Sequence, residues 1–406
     1  MGIRRASQYS KPVDDLTGIE VNEDFERFEQ KNDVFCRATW DDEIKSEKTA
    51  AFYDGFFMPS ARVRKADGFG QKDYALRNAA WHAANVFRDT EKCGKYRNDS
   101  PSESRREGYT ACFTLHDEGW PEPYPFKNPE EATRDIKRVA RFFGVGALGI
   151  CAYDERWMYK SIYSRATGES KPPEIPSDLP YVIVTGVPMD RDLIRTVPSA
   201  LAGAATGLGY SHETVAVVTL AQFIRNLGYR AFASLNDSAL SVPLGLQAGL
   251  GEAGRNGSLI SEEYGPRFRI SKIFTDVPLV VDKPKNLGVT RFCGICDRCA
   301  KACPPKAIPH DEPSTNVHSR SNIKGVKKWT TIAEKCFRFW ANQNTDCIVC
   351  IRVCPYNRDY SRLGNRLWMK LAKSRLRKLA LLLDDWFMDR GRMKSGHWWS
   401  ATDSEE

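Results

Sequence analysis

The sequence predicts a mixed α/β domain followed by a small cysteine-rich domain, with a polar segment ahead of them and a helical tail behind. Three observations carry this. From residue 128 onward amphipathic helix patterns alternate with short apolar strand patterns, as they do where helices pack on a sheet. Between Cys293 and Cys354 the cysteines crowd into closely spaced groups. Before residue 128 charged residues break every long apolar pattern. The expected boundaries are therefore 1–127, 128–285, 286–360 and 361–406. With 406 residues, 41% of them apolar and including ten Trp and twenty Phe, the chain can bury more than one core.

The first segment has scattered aromatics, among them Phe35, Trp40, Phe56, Phe57 and Trp81. Rings in a polar context suggest a lid that lies over another domain and lends it ring faces. Residues 95–106 read as a surface loop rich in Lys, Arg, Ser and Asn. Cys36, Cys93, Cys112 and Cys151 have no metal-ligand spacing and read as buried thiols.

The α/β domain opens on Asn128-Pro129-Glu130-Glu131, a capping side chain, a proline at the first helical position and acids in the first turn. Ile136, Val139, Ala140 and Phe143 form its apolar stripe, and Gly144 ends it. Strands are expected at 147–151, 181–184, 230–234 and 268–274, and a second helix at 211–227 with Val215, Val218, Ala221 and Leu227 turned inward. In the turn 248–258, Gly249-Leu-Gly251-Glu-Ala-Gly254 matches a dinucleotide fingerprint by letter. No clear strand precedes it, however, and no acid is well placed about 20 residues on. Glycines still let backbone approach a large planar cofactor, so Gly249, Gly251, Gly254, Arg255, Asn256 and Gly257 are the expected cradle.

The cysteine-rich domain reads Cys293-x2-Cys296-x2-Cys299-x3-Cys303-Pro304, then Cys336, then Cys347-x2-Cys350-x3-Cys354-Pro355. The first run is the pattern that gives three thiolates to one [4Fe–4S] cluster and the fourth to a neighbouring cluster. That crossing makes two clusters and a ferredoxin-like domain. Cys293, Cys296, Cys299 and Cys354 are expected on one, and Cys303, Cys336, Cys347 and Cys350 on the other, with Cys336 drafted from upstream because the second run lacks a third close cysteine. Structural zinc would leave both CxxxCP endings without a role, and disulfides suit tight CxxC pairs poorly where no secretory segment is visible.

In the tail, Leu367, Leu371, Leu379, Leu382, Leu383 and Trp386 alternate with Lys and Arg, and His397-Trp398-Trp399 is aromatic enough to be expected against the body. Much of the net charge of +8 falls between Arg362 and Lys378; a solvated helix face is the expected reading, a membrane-surface helix the sharper one. No apolar run approaches the ~18 residues of a membrane span. The expected location is cytoplasmic as given, or periplasmic and membrane-associated if an export signal has been removed.

Several ordered motifs resemble one family. They are Gly209-Tyr210-Ser211, the Leu-Ala-Gln-Phe-Ile-Arg-Asn-Leu-Gly-Tyr run from Leu220, Asn236-Asp237-Ser238-Ala239-Leu240 and the glycine turn. They continue through Glu263-Tyr-Gly-Pro-Arg267-Phe-Arg269, Phe274-Thr-Asp-Val-Pro-Leu279, Asn322-x-x-Gly325 to Trp329, and the cysteines. Together they resemble the corrinoid-dependent reductive dehalogenases. The resemblance implies a nitroreductase-like α/β (α+β) domain that binds base-off cobalamin, reduced by the two [4Fe–4S] clusters. It implies an organohalide substrate and an electron donor that is a low-potential ferredoxin, a flavodoxin or a membrane donor. Nucleic acid is not expected, and pairing as a homodimer is left open. By position Tyr210 matches the family's proton-donating tyrosine, Asn236 its pocket asparagine and Arg269 its pocket arginine, while Phe35, Trp81 and Trp340 fall near its aromatic walls.

Chemistry agrees with those roles. A tyrosine titrates near ~10, and the Arg269 guanidinium would stabilise the tyrosinate left after proton transfer. Tyr210 is expected just before a helix capped by Ser211, whose positive end would help further. Asn236 could donate to a leaving halide or the substrate. No Asp-x-His-x-x-Gly run offers cobalt a histidine. The alternative is an epoxyqueuosine reductase-like tRNA-modifying enzyme, which shares the cofactors, the glycine turn and an Asp-Ser-Ala stretch like Asp237-Ser238-Ala239. The tail is too short for that family's helical-repeat extension. A plain electron carrier would leave the residues before Cys293 without a task.

Overall fold

The computed structural model describes residues 19–52, 63–88, 120–165, 167–173, 175–236 and 238–401. Phe56, Phe57, Cys93, Cys112, Asp237 and the expected loop 95–106 lie outside them. In chain order the body runs α1 (Val34–Trp40), α2 (Glu47–Ala50), α3 (Gln71–Arg88), α4 (Pro129–Phe142) and β1 (Ala147–Ala152). It continues through the short hairpin β2 (Ile162–Tyr163) and β3 (Ser170–Lys171), then β4 (Tyr181–Pro188), α5 (Arg191–Arg195), α6 (Ala200–Asn226) and β5 (Ala231–Ser234). Next come α7 (Ser241–Gln247), the hairpin β6 (Gly251–Ala253) and β7 (Leu259–Ser261), and β8 (Phe268–Thr275).

The central sheet has the order β1-β4-β8-β5, and every pair in it is antiparallel. Helix–strand alternation therefore gives an α+β sheet here, not a parallel one. Its two faces follow from strand periodicity. Phe268 and Phe274 of β8 pack with Val182 and Val184 of β4 in one core. Ile273 and Ile183 face the other way, onto Val217, Leu220 and Ile224 of α6 and Ile136 of α4. The start of α4 is fixed by its cap, where Asn128 Oδ1 accepts from Glu131 N at 2.8 Å with Pro129 at the first position.

The expected helix at 211–227 begins eleven residues earlier. Ser199 is the cap, its Oγ accepting from Ala202 N at 3.0 Å, and α6 is 27 residues long. Three glycines, Gly203, Gly207 and Gly209, disguise this stretch as a loop, because glycine weakens a helix by ~1 kcal/mol. Close approach explains all three: a Cβ on Gly203 would lie 2.8 Å from Asp346 Oδ1, one on Gly207 2.4 Å from Trp81, and one on Gly209 2.8 Å from Arg269 Cγ. Tyr210 thus sits well inside α6, beyond the reach of the helix-end charge. Ser211 is no cap. Its hydroxyl donates to Ala80 O at 2.6 Å and accepts from Ala84 N at 3.2 Å, which ties α6 to α3.

The cysteine-rich part has α8 (Val289–Cys293), α9 (Arg298–Ala302), α10 (Ala333–Gln343) and α11 (Val349–Arg352). The tail forms α12 (Leu363–Lys373), α13 (Arg377–Phe387) and α14 (Ser395–Ser400). Trp368, Met369, Ala372 and Ala380 turn inward against Phe292, Cys296 and Tyr356, whereas Leu367, Leu379, Leu382 and Trp386 are exposed. Asp384, fully buried, pins α13 by accepting from Arg298, Arg358 and Arg390. The end of the tail packs back: Trp399 Nε1 donates to Asp73 Oδ1 at 2.9 Å and Ser395 Oγ to Asp67 Oδ1 at 2.5 Å. No described helix is long and apolar enough to cross a membrane.

Candidate active site

A cavity of ≈ 1130 Å³ opens between the sheet, α1, α3 and the cysteine-rich part. It is at the upper limit of small-ligand pockets, which run to ~1,000 Å³. Phe35, Trp81 and Trp340 all line it, as do Tyr210, Asn236 and Arg269. The N-terminal segment therefore supplies walls: Phe35 and Phe52 each meet both Phe337 and Trp340 of α10 at centroid distances of 4.9–6.2 Å.

At one wall two polar side chains converge on the oxygen of a third. Asn236 Nδ2 donates to Tyr210 Oη at 2.6 Å, and Arg269 Nη2 donates to the same atom. The Arg269 guanidinium carbon lies 4.2 Å from the centre of the Tyr210 ring, and Trp81 stacks on that ring at 5.0 Å with 26° between the planes. A phenol oxygen has two lone pairs and one proton. With both lone pairs occupied by donors, the proton of Tyr210 is left to point elsewhere. Asn236 thus spends an amide hydrogen on Tyr210 and is held in turn, with Ser241 Oγ at 3.4 Å from its Oδ1 and Tyr159 Oη donating to its carbonyl at 3.1 Å. Burial pushes the Tyr210 pKa up; Arg269 and the Asn236 hydrogen bond pull it back, while Glu213 and Asp346 add to the rise.

Glu213 gave no sequence signal beyond its place three residues after Tyr210. It is 1% exposed, and neither carboxyl oxygen has a hydrogen-bond partner among the described residues. Burial pushes it up to about 7 against the opposing cations Arg269 and Lys272. Lys272 is fully buried and donates to Leu235 O and to Ser241 Oγ at 3.0 Å, which braces the loop carrying Asn236.

The glycine turn is the β6–β7 hairpin, not a strand-to-helix phosphate loop. Gly251, Gly254, Asn256 and Gly257 line the cavity, and Gly257 adopts φ +77° at the tip. Two members of the expected cradle do not line it. Gly249 has φ +70° and backs onto Lys283 O, where a Cβ would lie at 2.4 Å. Arg255, 2% exposed, turns to the first cysteine loop, donating to Cys293 O at 2.7 Å, Cys296 O at 3.2 Å, Pro309 O at 3.1 Å and Asp311 O at 2.8 Å. Four carbonyls and the Trp329 face at 4.9 Å satisfy its buried charge better than a cofactor edge would. Facing the cavity, Asn256 Nδ2, Thr330 Oγ1 and Thr331 Oγ1 are buried with no partner among the described residues. Orphaned donors around a large cavity fit a corrinoid, whose rim is rich in amides.

The eight cysteines are gathered by electrostatic neighbourhood into two quartets. Cys293 and Cys296 act on Cys354, and those three on Cys299. Cys347 and Cys303 act on Cys336, and those three on Cys350. Cys350 also reaches Cys299 and Cys354, so the quartets adjoin. Burial, then neighbouring sulfurs, pushes Cys336 up to about 12; burial likewise takes Cys293 to about 12 and Cys347 to about 11. Such thiols become thiolates only where a metal repays deprotonation. Among the described residues no three His, Cys, Asp or Glu converge as they would on a single ion. Of the eight, Cys336 alone lines the cavity, with the Trp340 indole beside it.

Comparison with known proteins gives concordant matches. Residues 165–279 match the family model described as reductive dehalogenase subunit, and residues 292–357 match a 4Fe-4S double cluster binding domain. The chain is 33% identical over 324 residues to a tetrachloroethene reductive dehalogenase of Desulfitobacterium hafniense, covering 68% of this chain and 58% of that protein. It is also 33% identical over 266 residues to the one from Sulfurospirillum multivorans, covering 57% and 51%. The chain thus spans little more than half the length of these curated relatives. An epoxyqueuosine reductase of Synechocystis matches at 33% over 120 residues, 29% of this chain and 39% of that one. In fold, the chain superposes on the catabolic reductive dehalogenase NpRdhA solved with 3-bromo-4-hydroxybenzoic acid, with TM-score 0.70 and 22% identity, over 96% of this chain and 50% of that one.

Proposed function

The chain belongs to the reductive dehalogenase family, and from that premise we propose that it removes a halogen from an organohalide, R–X + 2 e⁻ + H⁺ → R–H + X⁻. The observation that carries this reading is the convergence of Asn236 and Arg269 on Tyr210 Oη at the wall of a cavity that Cys336 also borders. One site then has a proton, a charge to receive an anion and a route for electrons.

The residues divide the work as follows. Gly251, Gly254, Asn256 and Gly257 with Thr330 and Thr331, which line the cavity, would hold a corrinoid there. When bound, it supplies a cobalt centre that takes electrons singly and delivers them to a carbon–halogen bond. Cys293, Cys296, Cys299 and Cys354 ligate one [4Fe–4S] cluster, and Cys303, Cys336, Cys347 and Cys350 the other. The second quartet, bordering the cavity through Cys336, is the inner station. Electrons enter from a low-potential ferredoxin or flavodoxin. Phe35, Trp81 and Trp340 shape the substrate space and exclude water. Tyr210 gives its hydroxyl proton to the carbon, and Arg269 with Asn236 stabilises the oxygen left behind. Two donors already in place need no reorganisation at that moment.

The test is metal content and halide release on one anaerobically reconstituted sample. One cobalt with about eight iron, and halide from an organohalide panel, is the expected result. The same metals with no halide from any member of the panel overturn the reading.

A further inference from the structure

Glu213 is a buried acid that the proposed reaction does not use. It lies three residues after Tyr210 on α6, so both side chains leave the same face of the helix. Strand β8 runs across that face and presents Arg269 and Ser271 to it by strand alternation. Ser271 Oγ is near enough to favour the ionised carboxyl, but it is paired with Thr185 Oγ1 at 2.7 Å and falls short of a hydrogen bond to Glu213. The charged groups around Glu213 are few: Arg269 and Lys272 from β8 act on it directly. Beyond them, Asp346 acts on Tyr210 and is itself 3.9 Å from Arg77 Nε of α3. His212, next to it on α6, is exposed. The Arg269 guanidinium therefore faces two acids, the phenol of Tyr210 and the carboxyl of Glu213.

We propose that Glu213 is a positioning residue that sets how much of the Arg269 charge is available to Tyr210. When neutral, it leaves the guanidinium to the tyrosinate; when ionised, it draws on the same guanidinium and makes Tyr210 a weaker acid. This rests on Tyr210 as proton donor. Burial places the carboxyl at about 7, so both states are populated near neutrality. No bond to substrate is made by Glu213, and no proton leaves it in the reaction itself.

The test compares the parent holoprotein with Glu213→Gln, an uncharged isostere, and Glu213→Asp. Infrared difference spectra between about pH 6 and about pH 8 follow the carboxyl, and ¹³Cζ-tyrosine NMR, assigned with Tyr210→Phe, follows the phenol. The protonated-carboxyl band that disappears on raising the pH is expected in the parent and absent from Glu213→Gln. The Tyr210 titration should shift to lower pH in that variant, and Glu213→Asp should keep a pH-dependent step. Halide release by the parent should fall about ten-fold from about pH 6 to about pH 8, as the neutral fraction of a group titrating at 7 does, and stay nearly level in Glu213→Gln. An unchanged Tyr210 titration in a folded Glu213→Gln overturns the proposal, as does an unchanged rate profile. If the parent itself releases no halide, the dehalogenase reading has failed, while the two spectroscopic readouts still decide the coupling.

Discussion

The cluster ligands and the tyrosine site are assembled by opposite means. The cysteines of both quartets lie on one continuous stretch, and their spacing dictates which can share a cluster. The tyrosine site draws Trp81 from α3, Tyr210 from α6, Asn236 from the loop after β5 and Arg269 from β8, and only packing brings them together. The first region holds neutral thiols without its metal, because burial and then neighbouring sulfurs raise their pKa, and only a bound metal favours the thiolates. The second is complete in the protein alone, with both donors already on Tyr210 Oη. A cysteine quartet thus needs only a local pattern, whereas a tyrosine held by two donors needs the whole fold.

Losing one ligand should therefore be all-or-none in the first region and graded in the second. Cys350→Ser is expected to bring iron from about eight to about four per chain and to abolish halide release, measured by iron analysis and turnover on one sample. Iron unchanged at its full value would remove Cys350 from the second quartet. Tyr210→Phe should keep cobalt and iron and lose about 10²- to 10⁴-fold in turnover, the range for removing a general acid. Full turnover in that variant would make the convergence on its hydroxyl a packing feature.

How far each region is legible in the sequence follows from the same contrast. The cysteine pattern is local, so the grouping of Cys336 with Cys303, Cys347 and Cys350 can be read from it directly. The start of α4 is equally local, since Asn128 and Pro129 act on their own helix. By contrast, Gly203, Gly207 and Gly209 look like loop residues until Trp81 and Arg269, distant in sequence, are seen against the last two. Reading them as loop hides the first eleven residues of α6 and puts Tyr210 at a helix start that does not exist. The antiparallel order of the sheet is hidden in the same way, because β8 pairs with both β4 and β5 across long connections. Arg255 was misplaced for a different reason: its neighbours in sequence line the cavity, but its side chain leaves in the opposite direction.

A smaller effect separates the regions by pH. Glu213 has its carboxyl raised from the usual 4.5 to about 7 in the fold, so the folded state holds that proton more tightly than the unfolded chain does. Its burial is tolerated fully below about pH 4.5, and stability falls as pH rises towards about 7, by roughly 3 kcal/mol at most. Glu213→Gln should therefore melt above the parent at about pH 8, with the gap closing at about pH 5. A gap that does not change with pH would assign the effect to shape and not to charge.

The smallest expected effect probes the helix that both readings share. Gly207→Ala gains helix propensity worth ~1 kcal/mol, but its methyl meets the Trp81 indole at 2.4 Å, a clash that rigid packing punishes by about 1–3 kcal/mol. The clash should prevail, because Trp81 is 4% exposed and stacked on Tyr210, so moving the indole breaks that stacking. The variant is expected to melt slightly below the parent and to lose turnover without losing iron, since the displaced indole carries the phenol with it. Loss of iron alongside would show that α6 and the cysteine-rich part fold as one unit, so the contrast between the two sites would be one of ligand geometry and not of stability.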